Sequence, residues 1–330
     1  MSSLDAALDI VFAGNPEFAV PSLEALASSR HRVRLVIAAP SRRAGRGLQR
    51  VVSPVHSAAE RLGLPVDQVD ARDRRALLRC LEAVSPDVLV VVAWGGMIPR
   101  KVLQSPGLTA LNVHASLLPR WRGAAPVERA IMAGDSLTGV TIMYMAAGLD
   151  EGDIMLQREL PLDGTETGGG MRGMLAAMGA DLLVQAVELL AAGKAPRRPQ
   201  GEAGVTWAPK LTPADERISW EMAADVIDRV VRALSPSPGA HFGHAGTLVK
   251  LLAGRVATAQ PLIGAASSSG SDTSGITPGT IIGLDADSLV VATGQRAYLL
   301  DRVKPAGSRE MTGAGFARGR RLGPGDRLAE

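Results

Sequence analysis

The first half of the chain alternates short, continuous apolar runs with stretches in which apolar residues recur at helical spacing. Residues 9–13 (DIVFA) predict a buried strand, 22–29 a helix with Pro21 just before its first turn, and 33–39 a second strand. Helical patterns at 58–62 and 75–84 precede 87–94 (DVLVVVAW), the clearest buried strand in the chain. Two more strands follow at 108–114 and 139–145 (GVTIMYM). Residues 171–192 form a long Ala- and Leu-rich helical pattern without proline, stopped by Gly193. Strands that are apolar at every position are buried on both faces. Alternating with helices, they predict an α/β, Rossmann-like domain with a mostly parallel sheet.

The pattern changes after residue 192. Residues 193–204 (GKAPRRPQGEAG) mix Pro, Gly and charge without periodicity and read as a linker. The organisation predicted is a domain over 1–192, a linker over 193–209 and a second domain over 210–330. In that second domain 223–234 is an amphipathic helix. Short apolar runs at 248–252, 280–282, 288–292 and 297–303 are each bounded by Gly, Pro or Asp. Such spacing predicts a small β-barrel or sandwich. Residues 265–275 (AASSSGSDTSG) are of low complexity and read as a loop.

Composition narrows the class. The 330 residues are 46% hydrophobic and 21% charged, which excludes wholesale disorder. A single cysteine, Cys80, excludes a disulfide framework and a Cys-cluster metal site. The opening MSSLDAALDIVFAG carries Asp5 and Asp9 and no basic segment, unlike a secretory signal. The longest apolar run read from the sequence, 88–98, falls short of the ~20 residues that cross a bilayer. These features predict a cytoplasmic protein with no membrane contact.

Charge matters through its distribution. The net charge is only +3, and residues 1–195 carry equal numbers of acids and bases. Residues 41–50, however, hold Arg42, Arg43, Arg46 and Arg50 and no acid, and residues 302–327 hold seven basic and two acidic side chains. Two basic patches on a near-neutral body suit phosphate contacts, although a solvated surface carries such charges too. Aromatic residues are only 3%, which argues against a stacking platform for single-stranded nucleic acid.

Of five histidines, His114 alone ends a predicted buried strand, in LNVHASLLPRWRGAAP. Functional groups in open α/β sheets collect at the carboxyl ends of strands. Asn112 lies two residues earlier, so both side chains share one face of the strand. An amide and an imidazole placed together can hold a developing oxyanion and exchange a proton. Asn-x-His by itself is more often just a pair of satisfied polar residues. Asp150, in GLDEGD, follows the next strand; if the two strands are neighbours it can reach His114 and orient it. The acids around it also fit a solvated turn, and no second cluster completes a metal site. The string Gly168-x-Gly170-x-x-Gly173 matches a dinucleotide fingerprint, but it follows a loop late in the domain instead of the first strand, so it reads as a helix entry. A Walker A motif is absent.

Five segments form an ordered set: VFAGNPEFAVPSLEAL, AWGGMIPRKVL, LNVHASLLPRWRGAAPVERAI, TGVTIMYMAAGLDEGDI and VTWAPKLTPADERISW. With them the chain resembles the methionyl-tRNA formyltransferase family, within the folate-dependent formyltransferases. The likeness runs from about residue 10 to at least 220 and more weakly to the end. It implies a Rossmann-like formyltransferase domain followed by an OB-like β-barrel. The implied reaction moves a formyl group from 10-formyltetrahydrofolate, as cosubstrate, to the α-amine of methionyl initiator tRNA for translation initiation, with no metal. The family's catalytic Asn, His and Asp match Asn112, His114 and Asp150. The implied folate pocket is lined by Trp94, Gly95, Gly96, Met97, Ile98 and Pro99, with Ser116, Leu117, Leu118 and Pro119 as the turn beside the site.

The resemblance also gives the basic patches a role. The family's basic loop after the second strand corresponds to 41–52, SRRAGRGLQRVV. Arg46 is the first candidate for tRNA contact, with Arg42, Arg43 and Arg50 beside it. Ser41-Arg42-Arg43 stands where the family has Asp-Arg-Pro, and Leu48-Gln49 replaces lysines. In the second domain Lys304 and Arg309, with Arg318, Arg320 and Arg321, can follow the tRNA backbone. A monomer is expected. The rival readings are a formyltransferase or formyltetrahydrofolate hydrolase with another acceptor, and, from a different class, a catalytically silent RNA-binding protein.

Overall fold

The computed structural model describes residues 6–44, 49–105, 107–257, 273 and 275–328, the side chains of 43, 44 and 49 excepted. The described residues divide into two compact units. The first holds residues up to Pro126 together with Leu137–Pro161 and Arg172–Pro209; the second holds Val127–Ser136, Leu162–Met171 and the chain from Lys210 on.

The first unit is built on β1 (Asp9–Gly14), α1 (Val20–Ala27), β2 (Arg32–Ala38), α2 (Pro54–Arg61), β3 (Val66–Gln68), α3 (Arg74–Val84), β4 (Val88–Val92), α4 (Arg100–Leu103) and β5 (Thr109–His114). After α5 (Pro126–Ala133) come β6 (Leu137–Tyr144), β7 (Ile154–Pro161) and α6 (Gly168–Ala191). Among the described residues the sheet runs β7-β6-β5-β4-β1-β2-β3. The pairs from β3 to β5 are parallel, and β6 and β7 are antiparallel. Every residue of β4 is buried, which is why its pattern is continuously apolar. Alternate residues serve opposite faces: Val11, Ala13, Leu89, Val91 and Ala110 pack with Leu77, Leu81, Trp94 and Ile98. On the other face Gly179 of α6 sits against Val113 and Val140, where an added Cβ would approach the Val113 side chain to 2.9 Å.

The central strands lie within one or two residues of the positions expected from the apolar runs, whereas β3, α5 and β7 have no counterpart among the predicted elements. By length and composition α6 is long and apolar enough to cross a membrane; in this fold Leu175, Leu183, Ala186 and Val187 are buried in the protein. The glycine string at 168–173 forms the first turns of α6, where the Gly169 N–H donates to the Ser235 carbonyl at 2.8 Å. It occupies a helix entry and not the turn after β1.

The segment 193–209, read as a linker, groups with the first unit. Arg198 exchanges backbone hydrogen bonds with Ile154 at 2.8 and 2.9 Å. Trp207 and Ala208 pair in parallel with Arg122 and Gly123.

The second unit carries α7 (Ala224–Ala233), β8 (Ala240–His244), β9 (Thr247–Val256), β10 (Ile281–Asp285), β11 (Ser288–Ala292), β12 (Ala297–Pro305) and α8 (Gly313–Arg320). Its antiparallel sheet runs β8-β9-β12-β11-β10, with register shifts in β9 around Ala253. Trp220, Ile227, Phe242, Leu251, Leu289, Tyr298 and Phe316 form its core. Burial pushes the Tyr298 hydroxyl far above the usual phenol range. The low-complexity stretch 265–275 lies mostly outside the described residues.

Within this unit Asp215 accepts from Arg129 at 2.6 Å and from the Thr212 N–H and hydroxyl at 2.8 Å each. The Arg129 hydrogen bond, joined by the Thr212 bonds, holds its carboxyl at about 2, well below the usual range. A carboxylate with a lowered folded-state pKa stabilises the fold above its unfolded value near 3.8 and loses that contribution as pH falls through about 2. Asp215→Asn is therefore expected to cost about 1 kcal/mol at pH 7, with the gap to wild type closing between about pH 4 and pH 2; denaturant melts at those pH values measure it.

Candidate active site

Asn112 and His114 stand on β5, one turn of pleat apart, on the face shared with Ala110 and directed toward the 94–99 side of the sheet. Across the antiparallel pair, Asn112 opposes Met143 and His114 opposes Thr141. β5 is therefore next to β6, and the turn after β6 brings Asp150 back to the end of β5. The His114 Nδ1 lies 3.7 Å from Asp150 Oδ2, with both side chains mostly buried, His114 at 6% exposure and Asp150 at 14%.

The other ring nitrogen is fixed more tightly. His114 Nε2 is 2.8 Å from the Trp121 carbonyl oxygen. A carbonyl only accepts, so Nε2 carries a hydrogen and donates it. Nδ1 is then the nitrogen that gains or loses a proton, and it faces the carboxylate. From sequence, the orienting of His114 is expected of Asp150. The structure gives that task to the Trp121 backbone as well, and leaves Asp150 facing Nδ1.

Asp150 is itself held. Its Oδ2 accepts the Gly123 N–H at 2.8 Å, and its φ is +53°, in the left-handed region. Gly123 has φ +122°, and a Cβ there would stand 2.6 Å from the Ala208 carbonyl oxygen. At Gly152 a Cβ would fall 1.8 Å from the Tyr144 carbonyl oxygen. Glycine at these positions lets residue 123 pack against the 208 backbone and residue 152 against the 144 backbone, which fixes the two segments joined by the Gly123–Asp150 hydrogen bond.

The Asn112 amide is half-buried and makes no hydrogen bond among the described residues, so its donors remain available to a substrate. The turn Ser116, Leu117, Leu118 and Pro119 is pinned from below. The Thr141 hydroxyl donates to the Ser116 carbonyl at 2.7 Å and accepts from the Leu118 N–H at 3.1 Å. The Ser116 hydroxyl donates to the Arg120 carbonyl at 2.6 Å, and Gln157 Nε2 donates to the Leu118 carbonyl at 2.8 Å. Thr141 and Gln157 were not singled out from sequence. Only their placement opposite the turn, on neighbouring strands, reveals them.

The loop after β4 begins at the topological switch point between β1 and β4. Asn15, at the end of β1, donates to the Trp94 carbonyl and accepts from the Ala39 N–H, both at 2.6 Å. One side chain thus ties together the ends of three parallel strands. Trp94 is buried, and its Nε1–H has no partner among the described residues. Ile98 is buried, while Met97 is 60% exposed beside Gly95, Gly96 and Pro99. Leu149, next to Asp150, is 53% exposed.

Within the basic segment 41–52, residues 42–44 pair antiparallel with 49–51, Arg43 opposite Arg50. Arg42 and Arg50 are exposed; Arg46 and the side chain of Arg43 lie outside the described residues. In the second unit Lys304, Arg309, Arg318, Arg320 and Arg321 are all exposed. Elsewhere, burial lowers the pKa of His31 and of His244. Among the described residues no three His, Cys, Asp or Glu side chains come together to hold a metal ion.

Residues 8–187 match the formyl transferase family model, and 210–321 match the formyl transferase C-terminal domain. The chain is 41% identical over 320 residues to a methionyl-tRNA formyltransferase of Heliobacterium modesticaldum, covering 97% of this chain and 99% of the relative. It is 44% identical over 313 residues to that of Stenotrophomonas maltophilia, covering 94% and 97%. A solved N-formyltransferase of Helicobacter canadensis, in complex with folinic acid and dTDP-3-aminofucose, shares the fold with a TM-score of 0.64 at 15% identity, over 89% of this chain and 98% of that one.

The close approach at Gly123 yields a test. Gly123→Ala adds a Cβ against the Ala208 carbonyl in a backbone conformation that alanine avoids, and is expected to destabilise the first unit by about 1–3 kcal/mol. Chemical unfolding monitored by tryptophan fluorescence measures this; a change below about 0.5 kcal/mol contradicts the packing described.

Proposed function

The chain belongs to the methionyl-tRNA formyltransferase family of folate-dependent formyltransferases, and from that premise we propose that Asn112, His114 and Asp150 transfer a formyl group from 10-formyltetrahydrofolate to the α-amine of methionyl initiator tRNA. The observation that best supports this reading is the open Asn112 amide on the same strand face as an imidazole whose free nitrogen looks at a carboxylate.

The acceptor needs little activation. An α-amine has an ordinary pKa of about 7.7–8.0, so a useful fraction is neutral near pH 7. The donor brings an activated formyl carbon and N10 as leaving group. Asn112 donates an N–H to the formyl oxygen as it gathers negative charge during addition of the amine. His114 Nδ1 takes the proton that the amine must lose and returns it to the departing nitrogen. The new C–N bond and the broken one then balance without net proton release. Trp121 keeps the ring from turning during this exchange. Asp150, anchored by Gly123, faces Nδ1 and stabilises the imidazolium that forms between the two transfers.

The loop from Trp94 to Pro99 and the turn from Ser116 to Pro119 line the folate side in this reading. The half-exposed Met97 and Leu149 offer apolar surface at the same strand ends. The basic segment 41–52, with Arg42, Arg43, Arg46 and Arg50, takes the acceptor stem. Lys304 and Arg309 on the second unit follow the tRNA backbone. Arginine suits phosphate through its fixed fork of donors, and helical RNA is read largely through phosphate and shape. The protein acts as a cytoplasmic monomer.

The test is transfer of labelled formyl from 10-formyltetrahydrofolate to methionyl initiator tRNA. His114→Ala and Asn112→Ala are expected to lower kcat on the order of 10²–10³-fold with tRNA binding retained. Arg42→Ala combined with Arg50→Ala is expected to raise the KM for tRNA and reduce the salt slope of binding by about 1 per residue, leaving kcat in place. Formyl released to water or passed only to a small amine contradicts the acceptor. Full activity in His114→Ala contradicts the site.

A further inference from the structure

Residues 188–209 fall between the two stretches that match the family models, 8–187 and 210–321. Composition makes the later part of this segment look like a spacer. Its contacts do not. The Tyr144 hydroxyl donates to the Pro196 carbonyl at 3.2 Å. Arg197 pairs with Asp153 at 2.6 Å and lies over the Tyr144 ring. Arg198 exchanges backbone bonds with Ile154 and reaches Gln157 at 2.6 Å. Each of these partners lies at or next to the turn that carries Asp150, or in β7, which continues from it.

Two residues then reach the site's own supports. Gln200 Nε2 donates to the carbonyls of Asp150 at 2.8 Å and Gly152 at 2.7 Å, and its Oε1 accepts from Arg122 Nε at 3.1 Å and Nη2 at 2.8 Å. Both donor hydrogens and both acceptor lone pairs of one amide are thereby used, at a half-buried position. Arg122 is itself buried at 9% exposure and precedes Gly123, the donor to Asp150 Oδ2. Thr206 accepts the Trp121 N–H on its hydroxyl at 2.8 Å and the Arg122 N–H on its carbonyl at 2.9 Å. Trp121 is the residue whose carbonyl receives His114 Nε2. The segment thus touches both members of the pair at one remove: Asp150 through Gln200, and His114 through Thr206 and Trp121.

We propose that the strap 196–208 is part of the active site, with Gln200 and Thr206 as positioning residues that set the His114–Asp150 geometry. This rests on the reading of His114 and Asp150 given above. Gln200 holds the Asp150 backbone in its left-handed conformation by occupying two carbonyls of the turn. Thr206 fixes the peptide whose carbonyl orients the imidazole. Loss of either leaves substrate surfaces untouched and lets the two reacting groups drift. Misplacement by about 1 Å costs on the order of 10²-fold in rate.

The experiment compares full-length wild type with Gln200→Met, which keeps length and removes the amide, Thr206→Val, which removes only the hydroxyl, and Lys194→Ala as a control on the same segment. Formyl transfer to methionyl initiator tRNA is measured across pH. Both strap variants are expected to lose about 10–100-fold in kcat, with KM for tRNA and folate within threefold of wild type and an altered pH profile; Lys194→Ala matches wild type. Wild-type kcat and pH profile in both strap variants overturn the inference while leaving the proposed function standing. Hydrogen exchange of residues 117–125 and 146–153 reads the same claim without turnover. It accelerates in both stretches taken together across the two variants if the strap positions the site, and unchanged exchange overturns the inference even where the wild type transfers no formyl, the outcome that instead defeats the functional reading. A kcat loss matched by global unfolding, with the pH profile unchanged, shows a merely structural strap and also overturns it.

Discussion

One backbone contact governs the chemistry of this site: the Trp121 carbonyl accepting from His114 Nε2 at 2.8 Å. A histidine left to choose can carry its neutral-state proton on either nitrogen, and the two forms present opposite hydrogen-bonding faces. The carbonyl removes that choice. It commits the imidazole to exchanging protons through Nδ1, and Nδ1 faces Asp150. Much of the local architecture serves to hold that carbonyl and that carboxylate where they are. The short parallel pair of 122–123 with 207–208, the glycines at 123 and 152, and the Thr141 and Gln157 bonds beneath the 116–119 turn all limit the motion of one or the other.

The sheet supplies the larger frame. Four helices of the first half return the chain to the same edge of a parallel sheet, so the carboxyl ends of β1, β2, β4 and β5 open on one side, where sites of such folds gather. Asn15 closes the gap at the switch point with two bonds of 2.6 Å. The change to antiparallel pairing at β6 is what admits Asp150. Antiparallel β6 meets the end of β5 where Thr141 opposes His114 and runs back along it until Tyr144 opposes Leu111; the turn that follows then carries Asp150 back to His114 before β7 begins.

What the sequence made legible follows from how each element is stabilised. β4 is buried at every position and was plain from VLVVV. β7, IMLQRELP, lies at the sheet edge with Gln157, Arg158 and Glu159 in a row after a short apolar start, and nothing in its pattern separates it from a loop. Asn112 and His114 were readable because both are side chains at the end of an apolar strand. Asp150 needed the resemblance to stand out from its acidic neighbours. Trp121 was invisible, since its role is played by a backbone carbonyl, and the segment 193–209 was misleading for a similar reason. Its hold on the structure comes from two arginines, one amide, one hydroxyl and several peptide groups, none of which leaves hydrophobic periodicity. Arg46 lies outside the described residues, so its reading still stands on sequence.

The most direct measurement of the central claim is the ring nitrogen spectrum of His114 in the intact protein, recorded by ¹⁵N NMR through a pH titration. Nε2 is expected to keep its hydrogen throughout while Nδ1 alone gains and loses one. A neutral ring protonated on Nδ1, or a mixture of both tautomers, contradicts it.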